Sequence, residues 1–330
     1  MSYTANANRY ESMKYFRCGK SGLKLPAISL GLWQNFGSTV PYETSKNMLL
    51  GAFDYGITHF DVANNYGPKK GSAEETLGKV LKNELKPYRD ELIISTKAGY
   101  TMWDGPYGDW GSRKSLMASL DQSLQRLGLD YVDIFYHHRF DPETPLEETM
   151  DALADIVKQG KALYVGISNY NGEQAKRAID ILNSKGVHLL IAQPNYSMLN
   201  RTFETDLRPV LEDEGVGSIA YCPLAQGLLT SRYLNGIPAD SRVVKSGTLS
   251  ENRIDEATLN KIRSLSMMAV ERQQTMSAFA LSWALANGRL TSVIIGASRM
   301  EQIDENVKAI ENLAFSDDEL RKIEEILNND

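Results

Sequence analysis

Apolar runs and helix-period stretches alternate along the chain, and the alternation repeats eight times. Runs 27–32, 57–61, 91–96, 131–136, 163–167, 189–192, 217–221 and 292–295 are short, mostly apolar and rich in β-branched and aromatic residues, which predicts buried strands. Between them lie segments with helical spacing: 44–55, 73–85, 112–127, 145–159, 172–185, 203–214, 276–285 and 299–310, with further helices at 255–273 and 317–327. In 112–127 the stripe is Leu116, Leu120, Leu124 and Leu127, closed by Gly128. Gly56, Gly160 and Gly186 mark other helix ends. Capping boxes are predicted at Ser72/Glu75, at Thr144/Glu147 with Pro145 as first helical residue, at Ser298/Glu301 and at Ser316/Glu319, with Asn171 as a further cap.

Ahead of the repeat, 15–17 and 23–25 flank a glycine-containing turn, which predicts a β-hairpin. Eight strand–helix units of about 30 residues predict a (β/α)8 TIM barrel with an N-terminal β-hairpin and a C-terminal helix extension. No linker or low-complexity stretch divides the chain, so residues 1–330 are expected to form one domain. The stretch 225–254 is a loop too long to be a plain connection.

Composition narrows the function. The 330 residues are 42% hydrophobic and 24% charged, with a net charge of -6 and no basic block, which argues against nucleic-acid binding. No apolar run is long enough to cross a bilayer, and the polar stretch from Met1 to Tyr15 lacks a signal core. Two cysteines without a CxxC pattern fit a reducing, cytoplasmic setting. The four histidines lack metal-ligand spacing, so no metal is expected.

In a barrel the strand ends converge on one mouth. Asp61 and Tyr66 follow the second strand, Lys97 the third and His138 the fourth. His137 is expected to be structural or to face the other way, because strand neighbours alternate. The four groups suit carbonyl reduction. Hydride addition leaves charge on oxygen, and a tyrosine can donate the proton there. Its free pKa is about 10, and a neighbouring lysine ammonium would lower it. Asp61 would hold Lys97, and His138 would bond the carbonyl oxygen.

The runs Asp61-Val62-Ala63-Asn64-Asn65-Tyr66, Thr96-Lys97, Tyr136-His137-His138 and Gly166-Ile167-Ser168-Asn169 resemble the motifs of aldo-keto reductases. The resemblance spans residues 25–320. It is closest to the branch holding bacterial L-glyceraldehyde 3-phosphate reductases and potassium-channel β subunits. Val62 departs from the usual threonine but carries no chemistry. His138 stands where channel β subunits tend to carry asparagine, which favours a working reductase.

The resemblance implies a catalytic tetrad of Asp61, Tyr66, Lys97 and His138, and NADP(H) bound without a Rossmann domain. The near-match Gly215-Val216-Gly217 precedes a strand and is rejected as a dinucleotide loop. Gly296 and Ser298-Arg299 are the expected phosphate site, at a helix start with a forked cation. By resemblance Gln302, Glu305 and Asn306 take the adenine end, and Ser168, Asn169 and Gln193 hold the nicotinamide amide. Tyr221 stacks on the ring, and Cys222, Pro223, Leu224, Ala225 and Gly227 line the pyrophosphate. Arg232 and Arg242 grip phosphate from the long loop, and Trp33 and Asp61 complete the contacts. Trp33, Trp103 and Trp110, with Tyr66 and His138, are expected to line the pocket of a small aldehyde such as L-glyceraldehyde 3-phosphate or methylglyoxal. Two other readings stand beside this one: an NADPH-binding redox-sensing auxiliary protein, and a Schiff-base aldolase using Lys97. A homo-oligomer is expected from the family, with no interface signature in the residues.

Overall fold

The eight apolar runs become eight parallel strands closed into a barrel, each beside its sequence neighbours and the last paired with the first. The structure is a computed structural model and describes residues 3–234, 236 and 254–328. The strands are β3 (Ile28–Gly31), β4 (His59–Asp61), β5 (Ile93–Ala98), β6 (Val132–His137), β7 (Ala162–Ser168), β8 (Leu189–Gln193), β9 (Gly217–Ala220) and β10 (Ser292–Ile295). Outside them lie α1 (Tyr42–Asp54), α2 (Ser72–Val80), α3 (Arg113–Leu127), α4 (Leu146–Lys158), α5 (Gly172–Ser184), α6 (Leu207–Glu214), α7 (Glu256–Glu271), α8 (Met276–Leu285), α9 (Met300–Val307) and α10 (Asp317–Asn328). The fold expected from the pattern is therefore present, including the terminal helix.

Alternation along each strand sorts the side chains into two environments. Leu30, Phe60, Phe135, Val165 and Val293 point outward and join the cluster buried under the helices. Ile93, Ile134, Tyr136, Ile191, Ile219 and Ile294 belong to a second cluster inside the barrel. Gly166 makes room for Tyr136, because a Cβ there would lie 2.5 Å from the ring. Ser292, Ser29, His59, Asp61, Ser95 and Lys97 put buried polar groups on four adjacent strands, β10, β3, β4 and β5.

The predicted hairpin forms from β1 (Tyr15–Arg17) and β2 (Lys24–Pro26). Leu25 joins the barrel-interior cluster, and Lys20 N–H bonds Gly215 O at 2.8 Å. Gly217, at the start of β9, lies against Cys18. The hairpin thus covers the amino-terminal end of the strands.

Some local expectations change. The Ser72/Glu75 box does not form: Gly71, at φ 87°, stands at the cap, and the Ser72 hydroxyl accepts from Ser38 N–H instead. The Thr144/Glu147 box is also absent. Pro145 takes the cap position, and Thr144 N–H is bound by Asp141. The Asn171 cap forms as a full box with Gln174, and Ser316 and Glu319 bond each other's N–H. The segment 203–214 is broken at Asp206, and α2 gives way to wider turns at Leu81.

Helices α2 and α3 cross at Gly78, where a Cβ would lie 2.3 Å from the Arg126 carbonyl oxygen. Glu74, fully buried, accepts from Thr96 Oγ1 at 2.5 Å and Arg126 Nε at 2.7 Å, tying both helices to β5. Gly78→Ala should lower unfolding free energy by about 1–3 kcal/mol in denaturant titration. Helix propensity alone would raise it by up to about 1 kcal/mol, so the sign tests the crossing.

Candidate active site

Seven strands deliver a sequence-predicted side chain or loop at or near their carboxyl ends, and Trp33 follows the eighth, β3. Asp61 ends β4, and Tyr66 follows in a turn whose next N–H, from Gly67, bonds Trp33 O at 2.9 Å. Lys97 lies within β5 rather than after it, because the ladder to β6 continues through Ala98. His138 is one residue past β6, with its N–H on Ala98 O at 2.8 Å. Ser168 and Gln193 close β7 and β8, Tyr221 follows β9, and Gly296 follows β10.

Asp61 and Lys97 form a buried ion pair at 2.5 Å. The Lys97 ammonium also donates to Val62 O at 2.9 Å. The other oxygen of Asp61 accepts from Ser95 Oγ at 2.7 Å and Gln193 Nε2 at 3.2 Å. Lys97 Nζ lies 4.9 Å from the centre of the Tyr66 ring, and the His138 ring sits edge-on to Tyr66 at 5.7 Å. The structure thus brings Asp61, Tyr66, Lys97 and His138 together.

Burial decides their protonation. It pulls the Lys97 amine down, against the Asp61 carboxylate beside it. It holds the His138 imidazole well below its usual range, helped by the Lys97 charge, so the ring is neutral. His138 Nδ1 is buried without a partner. An unpartnered acceptor costs less than an unpartnered N–H, so the ring proton belongs on Nε2. The Tyr66 phenol is pushed well above its usual value, first by burial and then by Asp61. The net shift is thus upward although the Lys97 ammonium lies beside the ring, because burial dominates.

The nicotinamide candidates form one bonded set. Ser168 Oγ donates to Gln193 O at 2.9 Å, Asn169 Nδ2 donates to His138 O at 2.9 Å, and Tyr221 Oη donates to Asn169 Oδ1 at 2.7 Å. Asn169, Cys222, Ala225 and Gln226 all adopt left-handed backbone, with φ between 48° and 61°. Such residues cluster where a site over-determines the chain. Pro223, Leu224 and Gly227 belong to this same loop, and Arg232 N–H bonds Thr230 Oγ1 at 3.1 Å in the short turn that follows. Arg242 lies outside the described residues.

At α9 the cap differs from expectation. Arg299 occupies the cap with extended backbone, and Ser298 stands one residue too early. Ser298 N–H and Oγ both bond Gln302 Oε1, at 2.7 and 3.1 Å. Arg299 is largely exposed and lies 3.6 Å from Glu301, while Glu305 is half-buried and Asn306 buried.

The aromatic wall includes residues the sequence did not single out. Arg139 lies over Trp110 at 3.5 Å and Tyr100 at 4.3 Å, and Tyr100 meets His138 edge-on at 4.7 Å. Gly99 O and Asp109 hold the Arg139 fork at 2.8 Å each. Trp110 and Trp33 are partly exposed, and Trp103 packs on Gly108 of its own loop. His137 faces out of the barrel and bonds Tyr170 Oη at 2.6 Å. Among the described residues no helix is long and apolar enough to cross a membrane.

The aldo/keto reductase family model matches residues 27–328. The chain is 56% identical to the L-glyceraldehyde 3-phosphate reductase of Escherichia coli strain K12, covering 98% of this chain and 95% of that one. It is 38% identical to a putative voltage-gated potassium channel subunit beta of Schizosaccharomyces pombe, covering 94% and 92%. A probable subunit of the same kind from Arabidopsis thaliana is 37% identical over 91% and 92%.

Three buried histidines, His59, His137 and His138, make stability depend on pH. Burial lowers both His59 and His137 from 6.5 to about 4. The unfolded chain therefore binds more protons between these values, and stability should fall as pH drops from about 6.5 toward 4, with His138 adding to the fall. Urea unfolding across this range should show the fall, and His137→Asn should remove about 3 kcal/mol of it.

Proposed function

The chain belongs to the aldo/keto reductase family and is an oxidoreductase, and on that premise we propose that it reduces small aldehydes and 2-oxoaldehydes with NADPH. The observation that carries this reading is the meeting of Tyr66 with neutral His138 and with Lys97, which Asp61 holds. A bound nicotinamide supplies the hydride.

Each residue then has one task. His138 Nε2–H bonds the carbonyl oxygen and directs it toward Tyr66. Tyr66 gives that oxygen its proton. The raised phenol pKa fits this direction. An alkoxide is far more basic than any phenolate, so a phenol that keeps its proton until the alkoxide forms still transfers it downhill. Oxidation would need the phenolate in advance, which the buried setting disfavours. The Lys97 ammonium lies close enough to stabilise the phenolate left behind.

The residues also fit the cofactor. Hydroxyl and amide groups of Ser168, Asn169 and Gln193 suit a carboxamide, and exposed Ser298 and Arg299 ahead of α9 suit a phosphate. The 56% identity to L-glyceraldehyde 3-phosphate reductases supports a triose phosphate as substrate, with methylglyoxal as a second small carbonyl. The Schiff-base reading is weaker, because Lys97 Nζ already donates to Asp61 and Val62 O.

Purified protein should oxidise NADPH when given L-glyceraldehyde 3-phosphate or methylglyoxal. Tyr66→Phe should cut kcat by about 10²–10⁴-fold while NADPH still binds, as measured by titrating fluorescence. Turnover retained in that variant would remove Tyr66 as donor. Tight NADPH binding with no turnover of any aldehyde by the unmodified protein would favour the auxiliary reading. Arg299→Ala should weaken NADPH about tenfold and leave NADH nearly unchanged.

A further inference from the structure

Asp61 is the upper end of a hydrogen-bond chain that runs down the polar side of the barrel. Its Oδ1 accepts from Ser95 Oγ at 2.7 Å. Ser95 Oγ lies 2.9 Å from His59 Nε2, and His59 Nδ1 lies 2.9 Å from Ser29 Oγ. Ser29 Oγ in turn lies 2.7 Å from Ser292 Oγ. The members come from β4, β5, β3 and β10, and none is more than 2% exposed.

The ionised end fixes the protons from Ser95 to Ser29. A carboxylate only accepts, and a hydroxyl has one proton to give. Ser95 therefore donates to Asp61, and its oxygen accepts from His59 Nε2–H. Nδ1 is then an acceptor for Ser29, whose oxygen is left to accept from Ser292 at 2.7 Å, the nearer of that hydroxyl's two acceptors, with Ala27 O at 3.3 Å. A neutral ring carries a single proton, and burial keeps His59 neutral.

We propose that His59 is a positioning residue for the Asp61–Lys97 pair: its Nε2–H anchors the Ser95 oxygen so that the hydroxyl stays aimed at Asp61 Oδ1, which keeps Oδ2 on Lys97 Nζ. The proposal rests on the reading that this pair serves the reaction. A histidine that only filled space would be replaced without loss by an apolar side chain of similar size.

Kinetics and spectroscopy of the full chain separate these cases. His59→Leu should lower kcat about tenfold with KM unchanged, and His59→Gln, which keeps an N–H near the Nε2 position, should recover most of it. Ser95→Ala removes one oxygen and gives the same test if His59→Leu folds poorly. The double variant should lose no more than Ser95→Ala alone, because His59 acts through Ser95. Nitrogen NMR of the unmodified protein should find the His59 proton on Nε2. Unchanged kcat in folded His59→Leu, a Gln variant no better than Leu, or a proton on Nδ1 would overturn the proposal. If the unmodified protein reduces no aldehyde, the functional reading fails, while the NMR result still decides the chain's polarity.

Discussion

The ion pair between Asp61 and Lys97 is the constraint on which the site depends. Both charges lie inside the barrel, where removing them from water costs several kcal/mol each unless partners compensate. The compensation is spread over the surrounding strands. Val62 O accepts a second hydrogen bond from Lys97, and Ser95 and Gln193 donate to the other oxygen of Asp61. The polar strip on β10, β3, β4 and β5 supports the charged pair, and the isoleucines opposite fill the rest of the interior. Tyr66 and His138 then take their protonation from this setting. Burial and the carboxylate keep the phenol protonated, and burial and the ammonium keep the imidazole neutral.

Much of this was legible in the sequence for simple reasons. Eight apolar runs at steady spacing permit few architectures, and a barrel brings all their carboxyl ends to one face. Asp61, Lys97 and His138 could therefore be placed together without knowing any distance. The hairpin was legible because its turn chemistry is local. Helix starts were less so. Ser72 and Ser298 have the right spacing for capping boxes, but a left-handed Gly71 and an extended Arg299 shift each cap by one residue. Backbone dihedrals decide that, and spacing does not contain them.

The chain from Asp61 to Ser292 was not legible, because residues 29, 59, 95 and 292 become neighbours only when the barrel closes. One signal was available: His59 and Asp61 are two apart on a strand and so share a face. Arg139 was missed for a similar reason. Its value lies in stacking on Trp110 and Tyr100, which come from another loop. The direction of the Tyr66 shift also needed structure, since burial, its largest cause, is set only when the barrel and its loops close over the phenol.

The hairpin under the barrel gives the molecule a floor. Leu25 packs among the interior isoleucines on the hairpin side, and Asp61 and Lys97 lie toward the strand-end loops on the other. Solvent screening of the buried charges then depends on what those loops hold. A molecule lying across Tyr221 and His138 would exclude water there, and Coulomb interactions would grow several-fold as the effective dielectric fell from that of water toward about 20. Occupancy of the mouth therefore acts as a volume control on the field of the Asp61–Lys97 pair, strongest when the mouth is full.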